Sequence, residues 1–248
     1  MDIVRAESLL KCHRGWDGFT LGHVNLRLGP GEILGVIGEK GAGKSTLLRL
    51  LWGFVRPTSG TVEVFGLTPH LHQIEVRFKA GFVGATRGFY EWMTIREFLK
   101  FISNFYPNWD ESHSAELLRD FDMDGELDLR GLSKGQRLKL ALVSAMGHRP
   151  LLLLLDEPMH DQDPGVWLEV TAFLRQIARD EKTCIVISSG VSDSLDRLAD
   201  TVLMLKRGTV LHCAPSAALK QQYGMSSLED IFRESVQKAS KSSRRVNA

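Results

Sequence analysis

The chain has 248 residues, 43% of them hydrophobic, which is enough for one large domain with a sizeable core and excludes a disordered chain. Its 31 basic and 30 acidic residues leave a net charge of +1, so no overall field favours DNA, RNA or acidic lipid, and no nucleic-acid partner is expected. The three cysteines, Cys12, Cys184 and Cys213, are too few and too scattered for a disulfide framework or a CxxC metal site, and fit a reducing compartment. The Met-Asp-Ile-Val-Arg start carries no apolar segment behind a basic one, so neither a signal nor a transit peptide is expected. The longest strongly apolar run, Leu151 to Leu155, falls far short of the roughly 20 residues a spanning helix needs.

In chain order, Leu21 to Leu28 alternates apolar and polar positions, which predicts a half-buried strand, and Gly29-Pro30-Gly31 forces a turn after it. An antiparallel opening follows from that pair of signals. The continuous apolar run Ile33-Leu34-Gly35-Val36-Ile37 predicts a strand covered on both faces. A glycine-rich loop comes next, and Thr46 to Leu51 then runs as a helix that ends by Gly53. From about Thr94 to His148 the pattern becomes amphipathic and helical, with Ile95, Phe98, Leu99 and Ile102 in one set and Leu117, Leu118 and Phe121 in another. Apolar strands return at Leu151 to Leu155 and Cys184 to Ile187, separated by a helix over Val166 to Ala178, so the sheet is expected to be mainly parallel. Residues 1–235 are read as one domain with a helical part at about 87–150. Residues 236–248, polar and basic from Lys238 onward, are expected to form a frayed, solvated tail.

Gly38, Glu39, Lys40, Gly41, Ala42, Gly43, Lys44, Ser45 and Thr46 satisfy G-x-x-x-x-G-K-[ST] between a predicted strand and a predicted helix. In that setting the glycines let backbone N–H groups turn inward around phosphates, Lys44 reaches the terminal phosphates and Ser45 offers a hydroxyl to Mg²⁺. Leu151 to Leu155 ends in Asp156-Glu157-Pro158. Two carboxylates therefore emerge at the carboxyl end of a buried strand, the edge where open α/β sheets bind ligands. Beside a phosphate loop, Asp156 would hold Mg²⁺ and Glu157 would polarise an attacking water. Leu132-Ser133-Lys134-Gly135-Gln136 precedes an apolar helical stretch. Ser133 and Gln136 fit a capping box, and the same helix start is suited to an anion presented by another molecule.

Taken in order, the phosphate loop, Leu132-Ser133-Lys134-Gly135-Gln136 and Leu153-Leu154-Leu155-Asp156-Glu157-Pro158 resemble the motifs of nucleotide-binding subunits of ABC transporters, over nearly the whole chain. Gly81-Phe82-Val83, Met93 to Phe98 and Phe105 to Asp110 look more narrowly like single-domain bacterial exporter subunits, in particular those from operons with GntR-type regulators. The resemblance implies an α/β fold of the P-loop NTPase, ABC type: a RecA-like, mainly parallel sheet core with an antiparallel β subdomain and an inserted helical subdomain. It implies a head-to-tail dimer holding two ATP molecules with Mg²⁺, as a homodimer or with a second, different ATP-binding subunit. In each site Lys44, Ser45, Asp156 and Glu157 of one copy would face Ser133, Gly135 and Gln136 of the other, with Asp163 as a cross-subunit contact. Lys44 and Glu157 would be catalytic, and Ser45 and Asp156 would hold the metal. Hydrolysis would drive membrane permease subunits, an exporter, from the cytoplasmic face of the membrane. A non-transport ATPase of the same type is the further alternative, but this chain has neither a tandem pair of motif sets nor a long insertion between motifs.

Four positions depart from the family pattern. Gly84-Ala85-Thr86-Arg87 occupies the loop where the family carries a glutamine, and Ser188-Ser189-Gly190 puts Gly190 where it carries a histidine. Neither Ala85 nor Gly190 has a side chain that can orient water or contact a γ-phosphate, which predicts slow hydrolysis and admits a degenerate subunit of a heterodimer. Met159-His160-Asp161-Gln162-Asp163-Pro164 retains only the closing Asp-Pro of the usual turn. Trp16 falls one position from where a tyrosine would stack on the adenine, with His13 as the second choice.

Overall fold

The structure, a computed structural model, describes residues 2–13, 18–84, 88–160, 162–190 and 195–246, with side chains through residue 239. Among the described residues, nine strands form one mixed sheet. In chain order they are β1 (Val4–Cys12), β2 (Thr20–Leu28), β3 (Ile33–Gly38), β4 (Ser59–Val64), β5 (Ala80–Val83), β6 (Leu152–Leu155), β7 (Cys184–Ser189), β8 (Thr201–Lys206) and β9 (Thr209–Pro215). Their spatial order is β4-β1-β2-β9-β8-β3-β7-β6-β5. The half containing β8, β3, β7, β6 and β5 is parallel, whereas β1 pairs antiparallel with both β2 and β4. The expected parallel core is present; the antiparallel opening is present too, but β1 makes it with β2 and β4, and β2 does not pair with β3 across the Gly29-Pro30-Gly31 turn.

The apolar run on β3 is buried at every position because both faces of the sheet are covered. Ile33 and Ile37 point into one core with Ile185 and Ile187, while Leu34 and Val36 point into the other with Leu47 and Leu48. Leu47 and Leu48 belong to α1 (Lys44–Leu51), the helix that leaves the glycine loop. The short helix α2 (Gln73–Arg77) precedes β5. Three helices follow it: α3 (Ile95–Ser103), α4 (Glu111–Asp120) and α5 (Lys134–Met146). Ile95, Phe98, Leu99, Leu117 and Phe121 are buried together in the first core, as their spacing predicts, and Ile102 and Leu118 pack against it half-buried. The start of α3 is fixed by a capping box, with the Glu97 amide donating to Thr94 Oγ1 at 3.2 Å and the Thr94 amide to Glu97 Oε2 at 2.9 Å. Helix α5 reaches back to the sheet so closely that a Cβ on Gly81 of β5 would stand 2.4 Å from the Ala145 carbonyl.

Helix α6 (Pro164–Asp180) connects β6 to β7, with Pro164 in its first turn. The chain closes with α7 (Ser216–Tyr223) and α8 (Leu228–Val246). Helix α8 runs on to Val246, through the stretch where composition suggests a polar tail. Its first two turns bury Leu228, Ile231, Phe232 and Ser235, which anchors a helix that Arg233–Glu229 and Lys238–Glu234 ion pairs then support at i,i+4 spacing. A compositional reading of the last residues does not see that anchor because it lies upstream of them. No helix among the described residues is long and apolar enough to cross a membrane.

Candidate functional site

The glycine loop lies between the end of β3 and the start of α1. Gly43 takes φ +109° at the N-cap of α1, a conformation denied to residues with a Cβ, and no side chain caps the helix. The first-turn N–H groups of α1 have no carbonyl of their own helix to bond, so they face the loop mouth with the positive end of the helix dipole. Gly38 is required for a different reason: a Cβ there would come within 2.5 Å of the Leu205 carbonyl on β8. The β8–β9 turn braces the loop, with the Gly208 amide donating to the Ala42 carbonyl at 3.0 Å.

The parallel register of the sheet then brings distant chemistry to this loop. Strand β6 leads straight into Asp156, 6% exposed, whose amide donates to the Val83 carbonyl of β5 at 2.8 Å. Ser45 Oγ donates to Asp156 Oδ1 at 3.0 Å across 111 residues of chain. Lys44, 3% exposed, places Nζ 3.0 Å from Glu157 Oε1 and also donates to the carbonyls of Gly38 at 2.5 Å and Glu39 at 3.0 Å. From β7, the Ser188 hydroxyl donates to Asp156 Oδ1 at 2.8 Å and accepts from the Glu157 amide at 2.9 Å. Glu157 itself sits at φ +47°, in the left-handed region where only a few per cent of non-glycine residues are found.

A cavity of about 1040 Å³ opens over the loop, lined by Lys40 to Thr46, Glu157 and, on its wall, Phe19 and Arg207. Its loop end presents N–H groups and an ammonium, a surface for phosphate, and Phe19 adds an aromatic wall. The neighbouring Ser45 hydroxyl and Asp156 carboxylate are hard oxygen donors of the kind Mg²⁺ takes alongside nucleotide phosphates. Among the described residues no group of three or more His, Cys, Asp and Glu could hold a metal, so the fit to Mg²⁺ rests on these two oxygens.

The residues read from sequence thus divide into two groups. The glycine loop, Ser45, Lys44, Asp156 and Glu157 converge. Ser133, Gly135, Gln136 and Asp163 do not line the cavity. Ser133 and Gln136 form the expected capping box at the start of α5, with the Gln136 amide donating to Ser133 Oγ at 3.2 Å and the Ser133 amide to Gln136 Oε1 at 2.9 Å. Gly135 lets α5 approach α6, since a Cβ would meet Val166 Cγ2 at 2.8 Å. Asp163 occupies the N-cap position of α6, but its side chain makes no capping hydrogen bond. Trp16, Ala85, Thr86 and Asp161 lie outside the described residues. His13, exposed, has Nε2 3.4 Å from Thr46 Oγ1. The sequence reading misses Phe19 and Arg207 on the cavity wall, and it misses the role of Ser188, which depends on which strand lies beside β6.

Comparison with known proteins agrees with this geometry. Residues 21–160 match the family model described as ABC transporter. The chain is 32% identical over 214 residues to the ABC transporter ATP-binding protein NatA of Bacillus subtilis (strain 168), covering 84% of this chain and 85% of NatA. It is 30% identical over 205 residues to the bacitracin transport ATP-binding protein BcrA of Bacillus licheniformis, covering 82% and 67% of the two chains. A solved structure described as the ATP binding subunit of an ABC transporter superposes with a TM-score of 0.82 at 22% identity, over 94% of this chain and 99% of that one. Family match, relatives, fold and phosphate loop together place the chain in the ABC transporter family, as a single ATP-binding domain of the P-loop NTPase type.

Proposed function

We propose that the chain binds and hydrolyses Mg-ATP at the interface of a head-to-tail dimer and so drives a membrane permease, an exporter, from the cytoplasmic face of the membrane. The observation that carries this reading is the convergence of Lys44 and Ser45 on Glu157 and Asp156, each at 3.0 Å. The γ-phosphate draws Lys44 Nζ away from Glu157 Oε1, and the released carboxylate accepts the proton of the attacking water. Ser45 and Asp156 would hold Mg²⁺, which when bound would supply Lewis-acid polarisation of the phosphate oxygens. Ser133 and Gly135 sit outside the cavity of their own chain. In a head-to-tail dimer the start of α5 instead meets the γ-phosphate of the second copy, and Asp163 lies at the same seam. The aromatic wall at Phe19, with the His13 ring 6.0 Å away between centroids, offers a face for the base. A row of aromatic residues on the helical lobe, with Trp92 71% and Phe105 59% exposed and linked through Tyr90 and Phe101, supports a further apolar partner such as a permease.

A second reading, a slow subunit that completes its sites with a different partner, is favoured by one observation: Gly190, at the end of β7, has no side chain to offer the phosphate. Steady-state Mg-ATP hydrolysis by the purified chain, with Glu157→Gln as the blank for contaminating ATPase, separates the two. Activity above the blank supports a homodimeric motor. Activity equal to the blank with ATP binding intact supports the heterodimer, and loss of ATP binding as well overturns both.

A further inference from the structure

Ser188 on β7 is 1% exposed, and its single hydroxyl makes two contacts at once. It donates its proton to Asp156 Oδ1 at 2.8 Å and accepts the Glu157 amide proton at 2.9 Å. A serine hydroxyl has one proton and two lone pairs, so neither contact competes with the other. Strand alternation sends Ser189 to the opposite face of the sheet from Ser188. The Asp156 oxygen that Ser188 contacts is the one that also takes the Ser45 hydroxyl, and Glu157 holds a left-handed backbone that a glutamate keeps only where its surroundings fix it.

We propose that Ser188 is the positioning residue of this site: one buried hydroxyl on β7 orients the carboxylate of Asp156 toward the metal position and locks the backbone from which Glu157 projects. It touches neither nucleotide nor metal and acts only through these two residues. The inference rests on the Mg-ATPase reading above. Removing the hydroxyl frees both residues together, so metal-dependent binding and turnover fall together while the phosphate loop, which Ser188 does not contact, still binds nucleotide. Supporting partners of metal ligands typically change metal affinity or activity by about 10- to 100-fold when removed.

The test compares wild type, Ser188→Ala and Ser188→Thr in two measurements: titration of a fluorescent ADP analogue with Mg²⁺ or with EDTA, and steady-state hydrolysis at saturating ATP. Thermal melts confirm that each variant is folded. Ser188→Ala is expected to keep wild-type affinity in EDTA, to lose most of the affinity gained on adding Mg²⁺, and to lower kcat about 10-fold or more. Ser188→Thr, which keeps the hydroxyl, recovers both. The proposal is overturned if folded Ser188→Ala shows the wild-type Mg²⁺ gain, or if its affinity falls equally in EDTA, which would mark a general structural role. If wild type does not hydrolyse ATP above the Glu157→Gln blank, the motor reading fails, while the Mg²⁺ titration still reads Ser188 by itself.

Discussion

At Lys44 the single ammonium makes three contacts, with two loop carbonyls and the Glu157 carboxylate, so nothing of its charge is idle before phosphate arrives. The same economy is missing at Gly190. Among the described residues a Cβ there would meet nothing within 4 Å, which leaves room for a larger side chain. Gly190→His is therefore expected to fold normally and to raise turnover at saturating ATP by roughly 10²-fold, the scale of one added transition-state donor or proton carrier. A steady-state rate equal to wild type would show that the empty position does not limit the reaction.

At the scale of elements, the start of α5 holds two roles that a single substitution can separate. Ser133 caps the helix, and in the proposed dimer it also meets a phosphate. Ser133→Ala loses the cap and about 1 kcal/mol of stability. Ser133→Asp keeps an N-cap acceptor but sets a negative charge against the phosphate, so its melting temperature should stay near wild type while hydrolysis is lost. Equal hydrolysis by Ser133→Asp and wild type would confine Ser133 to capping. The other end of α5 carries a pH-sensitive joint. His148 is fully buried, stacks on Tyr106 at 4.1 Å between ring centroids and has Nε2 3.1 Å from the Ala80 carbonyl. Burial pushes its pKa down to about 4 from the ordinary 6.5. The folded imidazole stays neutral, whereas the unfolded chain takes up a proton below pH 6.5. The stability held above 6.5 is thus lost as pH falls toward 4, on the order of 3 kcal/mol in full. Chemical denaturation between pH 7 and 4 should show this slope in wild type and a flatter one in His148→Gln.

For the whole molecule, the separation of Ser133, Gly135 and Asp163 from the phosphate cavity means that one chain holds half of each proposed site. Association should then depend on nucleotide. With hydrolysis blocked by Glu157→Gln, Mg-ATP is expected to double the mass measured by light scattering, and Lys44→Ala added to that background should return it to the monomer. A mass unchanged by Mg-ATP would argue against identical copies closing on each other and favour a different partner.

The phosphate loop, its strand and its helix were legible in the sequence because their geometry is local: Gly38 and Gly43 are needed by the backbone itself, and the apolar run on β3 records burial on both faces. The capping box at Ser133 and Gln136 was legible for the same reason, three residues apart on one turn. Tertiary structure alone decided what stands beside the loop. Asp156 meets Ser45, and Ser188 meets both Asp156 and Glu157, only because β3, β7 and β6 lie side by side in parallel register. No spacing along the chain encodes which strands become neighbours. It likewise decided that α8 stays helical where composition suggests a tail, through apolar side chains buried several turns earlier. Local backbone demands are written residue by residue, but long-range contacts are set by the packing of the whole sheet.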